Sequence, residues 1–210
     1  MATVSPAMIS AQPNTPTAMT YDEFLSWSDG IHAEWIKGEV ITFMSVTTAH
    51  QRIVIFLSFL LQTFAQYFQK GEVLTAPVQI KLRDSGREPD IFLVAKENAG
   101  RVQEKFFDGA PDLIVEVISD ESASRDRVDK FEEYEESGVR EYWLIDPRPK
   151  RQRADFYQLG KDGKYRPVPI DDDGVYRSHV LQGFWLNVNW LWQDPLPDLL
   201  PTFEMIRGKS

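Results

Sequence analysis

The sequence predicts a mixed α/β (α+β) domain in which a central β-sheet is flanked by helices. Three stretches carry that expectation. Pro111 to Pro147 reads as strand, helix, strand, with Leu113-Ile114-Val115 and Val117-Ile118 making the near-continuous apolar run of a strand buried on both faces. A unit of this kind packs with its strands parallel and a right-handed crossover. Thr47 to Lys70 sets Ile53, Phe56, Leu57, Leu60, Leu61, Phe64 and Phe68 at helical spacing, the stripe of a core helix. Between these two stretches, Glu72 to Leu82 alternates like a strand and Arg87 to Val94 forms another.

In chain order, residues 1–18 are rich in Pro, Ser, Thr and Ala without periodicity and read as a flexible N-terminal arm. Thr20 and Glu23 have the spacing of a capping box, which starts a short helix from Tyr21 to Ser28. Ala33 to Met44 reads as a hairpin turning at Lys37-Gly38, with Glu34 and Glu39 as its acids. Gly71 is expected to end the long helix. Pro77 marks a bend or edge in the strand after it, where Gln79 and Lys81 share a parity and are expected to face a cleft. Strands over 72–82, 90–94, 112–118 and 141–145 make up the predicted sheet.

Lys96, Arg101 and Lys105 form a modest basic group in the loop that follows. A helix over Ser124 to Ser137 carries Asp126, Lys130 and Tyr134 on one face and ends at Gly138. Its glutamates Glu132, Glu133, Glu135 and Glu136 read as a solvated acidic surface. After the strand ended by Asp146-Pro147 comes the densest basic run, Arg148, Lys150, Arg151 and Arg153. A hairpin turns at Gly160-Lys161-Asp162-Gly163, and Asp171 to Gly174 is a turn that lacks the later acid of a calcium loop. Trp185, Trp190 and Trp192 lie in a terminal apolar segment, a candidate dimer contact. Residues 19–194 are expected to form one domain, and 195–210 a loosely packed C-terminal tail.

Composition sets the bounds. The chain has 210 residues, 42% hydrophobic and 26% charged, as in an ordinary globular protein. With no cysteine, neither a disulfide framework nor a Cys-based zinc site is available, and His32, His50 and His179 lack metal-pair spacing. No signal peptide or membrane span is recognisable, so a cytoplasmic location is expected. The net charge of −9, from 23 basic and 32 acidic residues, argues against a general polyanion binder but leaves room for a local basic cleft.

The chemistry centres on Glu116, a lone carboxylate in an apolar strand. Such a group is costly to bury unless a cation or metal receives it. Asp90 stands at the start of a neighbouring apolar strand, and Lys130 follows on the helix. Two carboxylates and a lysine suit metal-assisted phosphodiester hydrolysis, because carboxylate oxygens hold Mg²⁺ while a lysine orients water and offsets phosphate charge. The bland alternative pairs Glu116 with Lys130 as a buried ion pair and gives Asp90 to a turn.

Pro89-Asp90, Val115-Glu116-Val117-Ile118-Ser119, Lys130 with Tyr134, and Gly138-Val139-Arg140-Glu141-Tyr142-Trp143-Leu144-Ile145-Asp146-Pro147 together resemble the PD-(D/E)XK nuclease superfamily, in its branch of putative restriction endonucleases. Glu34, Gly38-Glu39, Met44-Ser45 and His50 extend the likeness, which runs from about Tyr21 to Asp155. The resemblance implies a restriction-endonuclease-like fold and a Mg²⁺- or Mn²⁺-dependent endonuclease acting on DNA. It implies Asp90, Glu116, the Val117 carbonyl and Glu34 as metal ligands, with Lys130 as the catalytic lysine. The superfamily pattern sets lysine two residues after the second acid; Ile118 stands there, and in this branch the lysine comes from the next helix. His50, Ser119 and Gln79 are candidates for contact with substrate, against bland roles as helix cap, turn and strand residues. A homodimer suits cleavage of both strands of a duplex. The alternative from another class is a nuclease fold kept as a binding or assembly module without turnover.

Overall fold

The computed structural model describes residues 18–28, 32–42, 46–119 and 128–208. The N-terminal arm up to residue 17, Met44-Ser45 and the first turn of the predicted third helix with Asp126 lie outside the described residues. Helix α1 (Tyr21–Trp27) begins with the expected capping box of Thr20 and Glu23. Strands β1 (Ala33–Ile36) and β2 (Glu39–Thr42) form the predicted hairpin. Helix α2 (Thr48–Tyr67) is capped by Thr47 and stops three residues before the expected end, with Gln69 in a left-handed conformation. Gly71 opens the next strand instead. Its φ is +155°, and a Cβ there would stand 2.1 Å from the Val94 carbonyl oxygen, so only glycine fits.

Strands β3 (Gly71–Thr75), β4 (Gln79–Lys81), β5 (Ser85–Arg87), β6 (Ile91–Ala95), β7 (Phe106–Asp108), β8 (Leu113–Val117) and β9 (Glu141–Asp146) follow, with α3 (Asp129–Ser137) between the last two. Strands β10 (Arg153–Leu159), β11 (Tyr165–Pro167), β12 (Val175–Arg177) and β13 (Trp185–Asn187) and helix α4 (Leu199–Arg207) complete the chain. The main sheet has the order β11-β10-β9-β8-β6-β3 and is mixed: β8 and β9 are parallel, their neighbours antiparallel. A second sheet runs β2-β1-β5-β4-β7. The strand expected over 72–82 is therefore two strands in two sheets. Pro77 has no N–H to continue a ladder, and the chain changes sheet at that point.

Period-2 alternation sorts the main sheet onto two cores. Ile91, Leu93, Leu113, Val115, Val117 and Ile145 pack with α2, whereas Phe92, Val94, Ile114, Ile118, Tyr142 and Leu144 pack with Tyr134 of α3 and Ile80 of the second sheet. Glu116 shares the parity of Ile114 and Ile118, which turns its carboxylate toward α3. Gly138 closes that helix in the left-handed conformation at φ +88°.

One expectation about the C-terminal part is corrected. The segment read as a loose tail forms α4, which buries Thr202, Phe203 and Ile206 against the α2 core, because its apolar residues recur at helical spacing. The tryptophan-rich segment, read as an apolar strand or segment and a candidate dimer contact, forms β13 and a 3-10 turn whose Leu186, Val188 and Leu191 enter the same core. Among the described residues, no helix is long and apolar enough to cross a membrane.

One buried acid fastens this C-terminal part to the sheet. Glu141, fully buried at the start of β9, accepts from Trp143 Nε1 (2.7 Å), Tyr176 OH (2.6 Å), Ser178 Oγ (3.1 Å) and the amides of His179 (2.9 Å) and Val180 (2.8 Å). Burial first, then the neighbouring Glu141, holds the Tyr176 hydroxyl far above its ordinary range, so it remains a donor. Glu141→Ala leaves these donors without an acceptor, and urea unfolding should register a loss of about 3 kcal/mol or more. A loss below about 1 kcal/mol would contradict this role.

Candidate active site

Strands β6 and β8 bring the two predicted acids together. Ile91 pairs with Val115, and continuing that register by one residue sets Asp90 opposite Glu116. Asp90 closes the gap with its side chain: Oδ2 accepts the Val117 amide at 2.7 Å. The same oxygen lies 3.2 Å from His50 Nε2. His50 sits in the first turn of α2, where its amide is capped by Thr47 Oγ1 at 3.2 Å. Its ring is buried, and Nδ1 has no partner among the described residues. Asp90 Oδ1 takes no hydrogen bond among the described residues, and the Asp90 side chain is 20% exposed. One oxygen is held and the other is not.

Glu116 is held from the other side. Lys130 Nζ donates to Glu116 Oε1 at 2.9 Å, and Tyr134 OH donates to the same atom at 2.9 Å. Lys130 and Tyr134 are one helical turn apart, so the face read from the sequence is the face that meets the acid. Burial, then the charges of Glu116 and Glu34, hold the Tyr134 hydroxyl well above its ordinary range, so it stays protonated and donates.

The second sheet supplies the next layer. Glu34 of β1, fully buried, has Oε1 3.2 Å from Lys130 Nζ and accepts the Glu88 amide at 3.2 Å on the same oxygen. Arg87 of β5 donates to Glu34 Oε2 at 3.0 Å and to Glu133 of α3 through Nε at 2.6 Å. Ser85 Oγ also donates to Glu133. Burial opposes the charge of Arg87, but Glu34, Tyr134 and Glu133 outweigh it and raise its pKa further. The lysine is thus shared by an acid from each sheet, while Arg87 ties the second sheet to α3.

Six of the predicted residues meet here: Asp90, Glu116, Val117, Lys130, Glu34 and His50. His50 stands behind Asp90 in the interior, rather than in open contact with substrate. Ser119 is half-buried, just beyond the end of β8. Gln79 does not face the cleft. It is buried, donates from Nε2 to the Ala33 carbonyl at 3.0 Å and accepts from Tyr21 OH at 3.4 Å, which ties β4 to β1 and α1. Arg87 was not singled out by the sequence, and Glu133 was read as surface. The clues to them were a cation three residues before Asp90 and an acid three residues after Lys130.

These two sheets and the helix between them form a restriction-endonuclease-like fold. The chain belongs to the Uma2 family, described as putative restriction endonucleases, which residues 21–189 match, and this assigns it to the nucleases. Among solved structures it is similar to a putative nuclease belonging to DUF820 from Anabaena variabilis. The TM-score is 0.70 at 18% identity, over 83% of this chain and 97% of that one. At that identity the likeness bears on fold. No curated protein matches the chain.

Glu88, between Arg87 and Pro89, gives the site a pH dependence. Burial first raises its carboxyl from the ordinary 4.5 to about 7, with Glu34 adding to the rise and the charge of the nearby His32 opposing it. A raised folded-state pKa means the folded protein binds this proton more tightly. That contribution is complete below about 4.5 and is lost as pH rises through about 7. Urea midpoints should therefore decline between pH 5 and pH 8, and Glu88→Gln should flatten part of the decline. An unchanged slope in Glu88→Gln would contradict the assignment.

Proposed function

We propose that the protein is a Mg²⁺-dependent endonuclease (Mn²⁺ serving in its place) that hydrolyses phosphodiester bonds of DNA, acting in the cytoplasm as a homodimer. The observation that supports this reading most is Asp90 opposite Glu116 with the Lys130 ammonium against Glu116. Among the described residues, no group of three histidine, aspartate or glutamate side chains is arranged to hold a metal. Mg²⁺ does not need one: it keeps several waters and is commonly bound by one or two carboxylates together with substrate phosphates. Two hard carboxylates, one with an oxygen left over, fit that ion. Asp90 and Glu116 would hold it, with the Val117 carbonyl as a further ligand. When bound, the ion supplies Lewis-acid polarisation of the phosphate and lowers the pKa of a bound water.

The chain's own residues do the rest. The Val117 amide and His50 hold Oδ2 of Asp90, which fixes the carboxylate plane and keeps Oδ1 available. Lys130 offsets phosphate charge and orients the attacking water. Glu34 was expected as a metal ligand. Bonded to Lys130 and Arg87, it acts instead by holding the lysine in place, and Tyr134 does the same for Glu116.

A second reading is a nuclease-fold module without turnover. It is favoured by the engagement of Lys130 with both Glu116 and Glu34, a closed ion-pair network. Cleavage of supercoiled plasmid and of single-stranded DNA with Mg²⁺ or Mn²⁺ separates the two readings. Wild type should cut, and Asp90→Ala and Lys130→Ala should each lose about a hundredfold or more. Cutting retained in Lys130→Ala would remove the lysine from the mechanism. No metal-dependent cutting of either substrate by folded wild type would favour the module.

A further inference from the structure

Most arginines among the described residues are spoken for. Arg87 is held by Glu34 and Glu133, Arg140 by Asp112, Arg148 by Asp146, Arg153 by Asp155, and Arg166 by Asp162. Arg151 is different, and the exposed Lys150 stands beside it. Both are exposed, and neither meets a carboxylate among the described residues. In a protein of net charge −9, two uncompensated cations side by side are a local exception.

Their place in the fold gives the exception a meaning. Strands β8 and β9 are parallel, with Glu116 level with Leu144 and Val117 level with Ile145. Strand β10 then returns antiparallel, with Arg153 against Asp146. The connection over residues 147–152 therefore leaves the sheet at the same end as Glu116, one strand over. With strands ~4.8 Å apart and a rise of ~3.3 Å per residue, it stands roughly 10–15 Å from Glu116. That matches the axial rise of about three to four nucleotides of a DNA duplex.

The loop is also fixed. Asp146 is buried, and Arg148 donates to both its oxygens, from Nε and from NH2, at 2.8 Å each. The Arg151 amide closes a turn on the Arg148 carbonyl at 2.9 Å. Two prolines, Pro147 and Pro149, restrict the backbone. Lys150 takes a left-handed conformation at φ +66°, which glycine would adopt without cost and lysine does not. A charged side chain stands where the backbone favours none.

We propose that Lys150 and Arg151 form a docking surface for the phosphate backbone of the nucleic acid on which the site acts. The proposal rests on the nuclease reading and extends it to how the substrate is held. Arg148 shapes the loop and is neutralised by Asp146. The two free cations make sequence-independent contacts that set the register of the strand over Asp90 and Glu116, while the acidic remainder of the surface repels other orientations.

The test is fluorescence anisotropy of the full chain with a 30-base-pair DNA duplex, an RNA duplex of the same sequence and single-stranded DNA. Each is titrated over a salt series in EDTA and again with Ca²⁺. Lys150→Ala with Arg151→Ala is compared with Lys161→Glu. Lys161 is an exposed lysine at the β10–β11 turn, at the opposite end of the sheet, and this change alters net charge by the same two units. The loop variant should weaken DNA binding about tenfold or more near 100 mM salt and lower the salt slope by about two. Lys161→Glu should leave both nearly unchanged.

Equal binding by the loop variant and wild type, an equal loss in Lys161→Glu, or no nucleic-acid binding by wild type with Ca²⁺ would each overturn the proposal. Plasmid cutting together with unaltered binding by the loop variant would remove the docking surface and leave the nuclease. Loop-dependent binding without any cutting would keep the surface and remove the nuclease. Loop-dependent binding of RNA alone would keep the surface and change the substrate.

Discussion

A carboxylate inside a strand that is covered on both faces loses its hydration, at a cost of several kcal/mol unless donors replace the lost water. Glu116 is in that position, with its side chain 4% exposed. Lys130 and Tyr134 supply the donors, and both come from one face of α3. The pitch of that helix, its left-handed stop at Gly138 and its crossover between two parallel strands all serve to bring this face onto the acid. The second sheet depends on the same contact. Glu34 completes the surroundings of the lysine, and Arg87 locks Glu34 to α3 through Glu133. Site and fold therefore share one network, and changes at Lys130 or Glu34 should affect stability as well as chemistry.

Asp90 stands outside that network, although it faces Glu116. Its support comes from the opposite layer, where His50 at the start of α2 reaches around the strand end. The two acids are thus held by different helices on different faces of one sheet. Such a division gives each carboxylate its own orientation. The contrast with Glu141 is informative. That acid lies on the same sheet but is ringed by donors from its own strand and the C-terminal segment, with no cation among them and no oxygen left over. It fastens the fold, whereas one oxygen of Asp90 takes no hydrogen bond among the described residues.

Much of this was legible in the sequence because the relevant rules are local. Period-2 alternation placed Glu116 among apolar neighbours of one parity, and a four-residue step placed Lys130 with Tyr134. The capping box, the Lys37-Gly38 turn and the left-handed glycine after α3 are decided within a few residues. What escaped depends on pairs far apart in the chain. Arg87 meets Glu34 across 53 positions, and only the docking of β5 on β1 brings them together. The same docking turned Gln79 inward to the Ala33 carbonyl, after Pro77 had moved its strand to another sheet. Glu133 looked like one of several surface acids until Arg87 reached it. The end of the chain was misread for a different reason: the helical stripe of Phe203 and Ile206 is short, and its value lies in the α2 surface that it covers.

The central claim is that Asp90 and Glu116 are a metal-binding pair with Lys130 as their neighbour. Isothermal titration of Mn²⁺ into the full chain tests it without reliance on activity, with Asp90→Asn and Glu116→Gln beside wild type and circular dichroism confirming that each is folded. The account predicts a saturable heat in wild type that disappears in Asp90→Asn, where the oxygen left over is no longer charged, and in Glu116→Gln. Folded wild type that takes up no metal, or an Asp90→Asn variant that binds as tightly as wild type, would contradict it and leave the Lys130 network as a structural ion cluster.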